Sequence, residues 1–187
     1  ASGMATVVSR ALLGNVPELL APAYMVRNYW ELILYVLLGL LIGALAALFI
    51  DTHFKIKDRF AALKIHRLAK PAIGGLLVGI IGLGFPQVCG NGYEFMGDVL
   101  FGKETWYRVA GLVIAKAIAT SITLGSGLPG GLFAPCLYLG AVTGGAFGHI
   151  AAKLFPTAGS PPGAYALVGM GAVRAGAAHA PLPALFL

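Results

Sequence analysis

Glycines at 125, 127, 130 and 131, followed by Pro135, are the residues whose types and spacing point most directly to chemistry. They open the stretch Gly125–Gly148, which reads GSGLPGGLFAPCLYLGAVTGGAFG. Glycine carries no side chain to screen its backbone amide or to block a close approach. Pro135 suits the first turn of a helix, where its missing N–H is no loss. A glycine loop feeding a helix start presents unpaired N–H groups at the positive end of the helix dipole, and that is an anion site. On these grounds alone, packing and ligand binding account equally well for the glycines at 125–131. At 140–148 and 169–176 the glycines fall inside helical runs, and packing is their expected use.

Gly125, Gly127 and Gly130 also match G-x-G-x-x-G, but the dinucleotide fingerprint needs a preceding strand and an acidic residue about 20 positions further on. Here an apolar helical run precedes the glycines, and Glu104 is the last carboxylate of the chain. No Walker lysine follows. From Thr105 to Leu187 the charges are Arg108, Lys116, Lys153 and Arg174, with no Asp or Glu. A cation pathway normally sets carboxylates in the membrane. Amides, helix N-termini, hydroxyls and a few cations favour anions. Without acids in this half, no Ser–His–Asp or paired-carboxylate arrangement can be built there, so no catalytic residue and no enzymatic activity are expected. His149 and His179 stand alone, so neither a metal site nor a cofactor is expected. Lys116, midway along an apolar segment, is a functional candidate by position. Snorkelling or capping of carbonyls is the competing account.

The elements that must hold these residues sit in lipid. Hydrophobic residues make up 58% of the 187 and charged residues 11%, against about 25% charged in a soluble domain; mean hydropathy is +0.85. The 27 glycines and 11 prolines suit discontinuous helices buried among others rather than straight spans. Residues 1–13 read as the tail of a helix, followed by a proline-punctuated loop. Tyr29–Ile50 has the length of a membrane crossing, with Tyr29, Trp30 and Tyr35 near its start, where aromatics favour the interface. Asp51–Lys70 holds Lys55, Lys57, Arg59, Lys64, Arg67 and Lys70. It reads as a cytoplasmic, helix-extending segment under the positive-inside rule rather than a nucleic-acid patch. Pro71–Phe85 is apolar but short, Tyr93–Leu100 has helical potential, and Trp106–Leu124 reads as a second span. Helices are expected over 132–154 and 164–178, with a further one beginning at Ala180. Cys89 and Cys136 have no ligand spacing and read as buried, inert thiols. No signal peptide and no initiator Met are seen, and the chain reads as a fragment.

Gly131-Leu132-Phe133-Ala134-Pro135 resembles the G-x-F-x-P signature of CLC chloride channels and chloride/proton exchangers. The similarity extends outward to PAIGGLLVGIIGLGFPQVCGNGYE, with Gly92-Tyr93-Glu94, and to AKAIATSITLGSG and GAYALVGMGAVRAGAAHAPL. The resemblance implies an all-α, polytopic membrane fold of inverted repeats with tilted and broken helices. The chain would be a partial CLC transmembrane domain: the end of the first repeat at 1–13 and most of the second at 29–187, family helix I to the start of helix P.

It further implies chloride as the substrate, bound by the backbone N–H groups of Leu132 and Phe133, with Gly131 and Pro135 in support. The partners implied are chloride and a lipid bilayer, with a homodimer when the protein is complete, in the plasma or an inner membrane. GSGLP at 125–129 looks like the family's first-repeat motif but lies directly before GLFAP, so Ser126 is not assigned a coordinating role. Gly102-Lys103-Glu104 is followed by Thr105, so Glu104 is not the gating glutamate of GKEGP. Without matches to the gating and proton-transfer glutamates, channel and exchanger stay open alternatives. Arg174 and Pro183 depart from otherwise small or apolar runs and put local helix packing in doubt. The competing reading is a structural or assembly subunit of a membrane complex, with glycines used for packing alone.

Overall fold

The computed structural model describes residues 2–14, 24, 29–102, 106–155 and 160–178. They form seven α-helices and a 3₁₀ turn: α1 (Ser2–Leu13), α2 (Trp30–Ala62), α3 (Ala69–Gly84), the turn Pro86–Val88, α4 (Tyr93–Leu100), α5 (Trp106–Gly125), α6 (Phe133–Leu154) and α7 (Pro162–Ala178). The expected all-α fold is what these residues adopt. Glu104, His179, Pro183 and the helix expected from Ala180 lie outside them.

Helix α2 is the one described helix long and apolar enough to cross a membrane. Its 33 residues span about 50 Å at 1.5 Å each, against a hydrocarbon core of about 30 Å. Glu31, Leu38, Ile42, Ala46 and Phe49 form one buried stripe at helical spacing, while Leu32, Val36, Leu40 and Leu48 are exposed. That split suits a helix with protein on one side and lipid on the other. The helix does not stop where its apolar run stops. It continues through the basic segment to Ala62, where Lys55 Nζ meets Asp51 Oδ2 at 2.6 Å, one turn apart. Of the aromatics at its start, Tyr29 is exposed, whereas Tyr35 turns inward onto Tyr165, ring centroids 5.2 Å apart.

The other helices are shorter or buried. At 16 residues, α3 reaches about 24 Å, and Pro86 opens the 3₁₀ turn directly after it. Two residues before α3's expected start at Pro71, the helix begins at Ala69, which leaves the proline in the first turn, where it costs no bond. Helix α6 lies at the centre. Eleven of its 22 residues are buried, and it contributes to both hydrophobic clusters, one with α4, α5 and α7 and one with α2 and α7.

The α6–α7 seam runs antiparallel and is built from glycine. A Cβ at Gly140 would collide with Gly169, one at Gly144 with the carbonyl of Tyr165, and one at Gly148 would lie 2.6 Å from Pro162 Cα. With Arg174 in its last part, α7 still packs at this closest distance. Elsewhere Gly92, at φ +76°, caps α4 in the left-handed region and leaves room for the Tyr138 ring. Tyr24 donates to Leu100 O at 2.7 Å, tying the chain before α2 to the end of α4. Burial pushes this phenol above its ordinary pKa.

Candidate anion site

The glycine stretch divides into an ending and a beginning. At the end of α5, Leu128 N–H donates to Thr123 O and Gly127 N–H to Leu124 O, both at 3.2 Å, with Gly127 at φ +89°. This is a Schellman cap, and its left-handed position is the reason for the glycine. Gly125 packs tightly instead: a Cβ there would meet the Lys57 backbone at 3.2 Å. Ser126 is buried, its hydroxyl donating to Thr123 O at 3.0 Å, and its side chain fills the notch left by Gly74. Gly131 faces open space.

Helix α6 then starts without a side-chain cap. Leu132 is its N-cap, at φ −86° and ψ −12°, and its carbonyl accepts from Cys136 N at 3.0 Å. Among the described residues no bond takes up the N–H of Leu132 or Phe133. Pro135, inside the first turn, has none to offer. Leu132 is 42% exposed and Phe133 44%, and their N–H groups stay unpaired among the described residues. The structure thus brings Gly131, Leu132, Phe133 and Pro135 together as one uncapped helix start.

A cavity of about 480 Å³ adjoins this start, walled by Gly130, Gly131, Phe133, Ala134 and Pro135, by Lys116, Thr120 and Thr123 of α5, and by Val88–Asn91. Among the described residues no carboxylate lines it. The hydroxyl of Thr123 donates back to Ala119 O at 2.8 Å, which leaves its hydrogen unavailable to a ligand. Lys116 is 3% exposed. Its Nζ donates to Val88 O and to Gly90 O, each at 2.7 Å, and lies 5.0 Å from the Tyr138 ring centroid. Carbonyl capping is therefore its arrangement, and it fixes the cavity wall across 26 and 28 residues of sequence. An ammonium at this position, with no acid among the described residues lining the cavity, would add to the helix dipole in favouring an anion.

A second cavity, about 620 Å³, lies next door and shares Cys89 and Asn91 with the first. It is lined by Glu94 and Asp98. Cys89 is exposed and Cys136 buried, both free. The expectation of two buried thiols fails at Cys89, because this residue closes the 3₁₀ turn at the cavity rim rather than lying within a helix face. Among the described residues no group of three His, Cys, Asp or Glu gathers as metal ligands would. Sequence reasoning weighed Lys116 but had no signal for its carbonyl partners. Arg174 was marked only as a departure, yet its guanidinium lies 4.2 Å from the Phe133 ring centroid.

A profile of the voltage gated chloride channel family matches residues 1–187. A putative chloride channel protein, ClcB-like, from Ralstonia nicotianae is 33% identical over 183 residues, covering 98% of this chain and 43% of its own length. The chloride channel protein CLC-f of Arabidopsis thaliana is 38% identical over 205 residues, covering 100% of this chain and 26% of its own. The H(+)/Cl(-) exchange transporter ClcA of Vibrio parahaemolyticus is 36% identical over 188 residues, covering 98% and 40%. The chain spans less than half the length of each of these relatives. With the profile matching the whole length and these relatives at 33–38% identity, the chain belongs to the voltage gated chloride channel family.

Proposed function

We propose that this chain is part of an integral membrane protein that transports chloride or similar halides, and that the N-terminus of α6 supplies half of its anion site. The observation that carries this reading is the pair of unpaired amides at Leu132 and Phe133 beside a cavity that no carboxylate among the described residues lines. Chloride entering from water loses part of its hydration shell, and unpaired N–H donors and the dipole behind them replace it. Donors already held in place by the helix need no reorganisation when the ion arrives. The names of the relatives, two chloride channels and an H(+)/Cl(-) exchange transporter, support the choice of chloride and a transport rather than an enzymatic role. A second-repeat location for 29–187, a cytoplasmic side for 51–70, and a homodimer of complete subunits go with this reading.

The competing reading makes the chain a structural or assembly subunit with glycines used only for packing. The α6–α7 seam is what favours it. Chloride efflux from liposomes carrying the full-length protein separates the two. Removal of one donor then locates the site. Phe133→Pro deletes an N–H but drives Leu132 out of its helical conformation, because the residue before proline avoids that region. Leu132→Pro is the cleaner change: its φ of −86° is near the roughly −65° of proline, and it follows a glycine. We expect chloride affinity by calorimetry to fall about tenfold or more, since a hydrogen bond to a charged group contributes about 1.5–3 kcal/mol. Unchanged affinity in a folded Leu132→Pro protein would sink the amide assignment.

A further inference from the structure

Resting on the chloride reading above, we propose that Arg174 raises the anion affinity of the same site, by holding a fixed positive charge beside the amides of Leu132 and Phe133. The guanidinium carbon lies 4.2 Å from the centroid of the Phe133 ring, well inside the range of a cation–π contact. Phe133 thus has two roles. Its backbone offers an N–H to the anion, and its ring seats a cation one side chain away.

Position in the fold makes this placement rigid. Helices α6 and α7 run antiparallel through the glycine seam, so the last part of α7 lies beside the first turn of α6. The backbone that carries Arg174 cannot move away from the helix start without opening the seam, and the Phe133 ring seats its guanidinium. Among the described residues Arg174 has no acidic partner. The ion pair among the described residues is Lys55–Asp51, far along α2, and the chain holds no Asp or Glu after Glu104. Its Nε is buried and makes no hydrogen bond among the described residues. A half-buried guanidinium without a counter-ion is costly in a medium of low dielectric. A small anion at the neighbouring helix start supplies the missing charge at long range. Because the guanidinium stays protonated throughout the accessible pH range, the gain is constant with pH.

Arg174 is a positioning charge rather than a direct ligand, and its test must distinguish charge from packing. Full-length protein in detergent is titrated with sodium chloride by calorimetry, as wild type, Arg174→Gln and Arg174→Lys. We expect Arg174→Gln to bind chloride about tenfold more weakly, equivalent to about 1.4 kcal/mol. Arg174→Lys, which keeps the charge, should stay within about threefold of wild type. Lower ionic strength should widen the gap between wild type and Arg174→Gln, as screening weakens. Wild-type affinity in Arg174→Gln, or a loss in Arg174→Lys as large as in Arg174→Gln, overturns the proposal. Should Arg174→Gln fail to fold, Phe133→Leu removes the ring and keeps the backbone donor; a severalfold loss supports the seat, and no loss overturns it. Wild-type protein that binds no chloride overturns the chloride reading first, and the role of Arg174 with it. Chloride binding that is retained while Arg174→Gln has no effect removes Arg174 alone.

Discussion

Glycine does opposite work at two sets of positions in the signature region. Between α6 and α7, at Gly140, Gly144, Gly148 and Gly169, the missing Cβ brings two backbones into contact, and any added atom would have to displace another helix. Between α5 and α6, Gly127 has no neighbour within 4 Å of a Cβ but sits at φ +89°, and Gly131 has neither a close neighbour nor a positive φ. The first group closes space and the second leaves backbone uncovered. One residue type, in one stretch of sequence, therefore provides both the rigidity of the scaffold and the openness of the site. Substitution by alanine distinguishes them, because a methyl group tests space and φ separately.

The largest effect is expected at Gly144. Its Cβ would run into the Tyr165 carbonyl on the facing helix, and overpacking of this kind costs about 1–3 kcal/mol or more. Gly144→Ala should lower the melting temperature in detergent sharply or abolish monodisperse protein. A wild-type melt would mean that the seam is looser than its geometry. Gly127→Ala comes next, at about 1–2 kcal/mol, the cost of a left-handed residue with a Cβ. On the chloride reading it should lower stability while leaving chloride affinity nearly intact, since Gly127 ends α5 and does not line the cavity at the start of α6. Gly131→Ala should be the mildest, within about 0.5 kcal/mol in stability. If Gly131→Ala destabilises as much as Gly144→Ala, the two groups are not different and the open loop is a packed one.

These differences explain what could be read in the sequence. The apolar runs and the residues GLFAP placed α5 and α6 within a residue or two, because helix length, proline position and hydrophobic runs are local properties. The Schellman cap has a sequence signal, Gly127 with Pro129 two residues on, but the same glycines also fit an anion loop, and sequence alone does not separate the two. The end of α2 was not visible: a change from apolar to basic marks the edge of lipid, while the helix continues until its hydrogen bonding fails after Ala62. Contacts across long separations were beyond reach. Nothing local reveals that Lys116 holds the carbonyls of Val88 and Gly90, or that Arg174 stacks on Phe133. Ser160 donating to the buried Glu31 at 2.8 Å, 129 positions away, is of the same kind.

Gly125 rests against the backbone of Lys57, seven residues past Ile50 and so about 10 Å beyond the apolar part of α2. The loop leading to α6 is thereby pinned at the level where Lys57 and Arg59 stand exposed beside Asp58 and the Lys55–Asp51 pair, at the start of a segment with six basic and two acidic residues. On the chloride reading, an ion approaching from that side crosses a basic shelf before it reaches any donor. Such a shelf acts on the rate of arrival more than on the strength of binding, by concentrating anions at the entrance. Its influence should fade as salt shortens the Debye length to about 8 Å and below. Capture and retention of the ion would then be set by different parts of the chain, the end of α2 for the first and the start of α6 for the second.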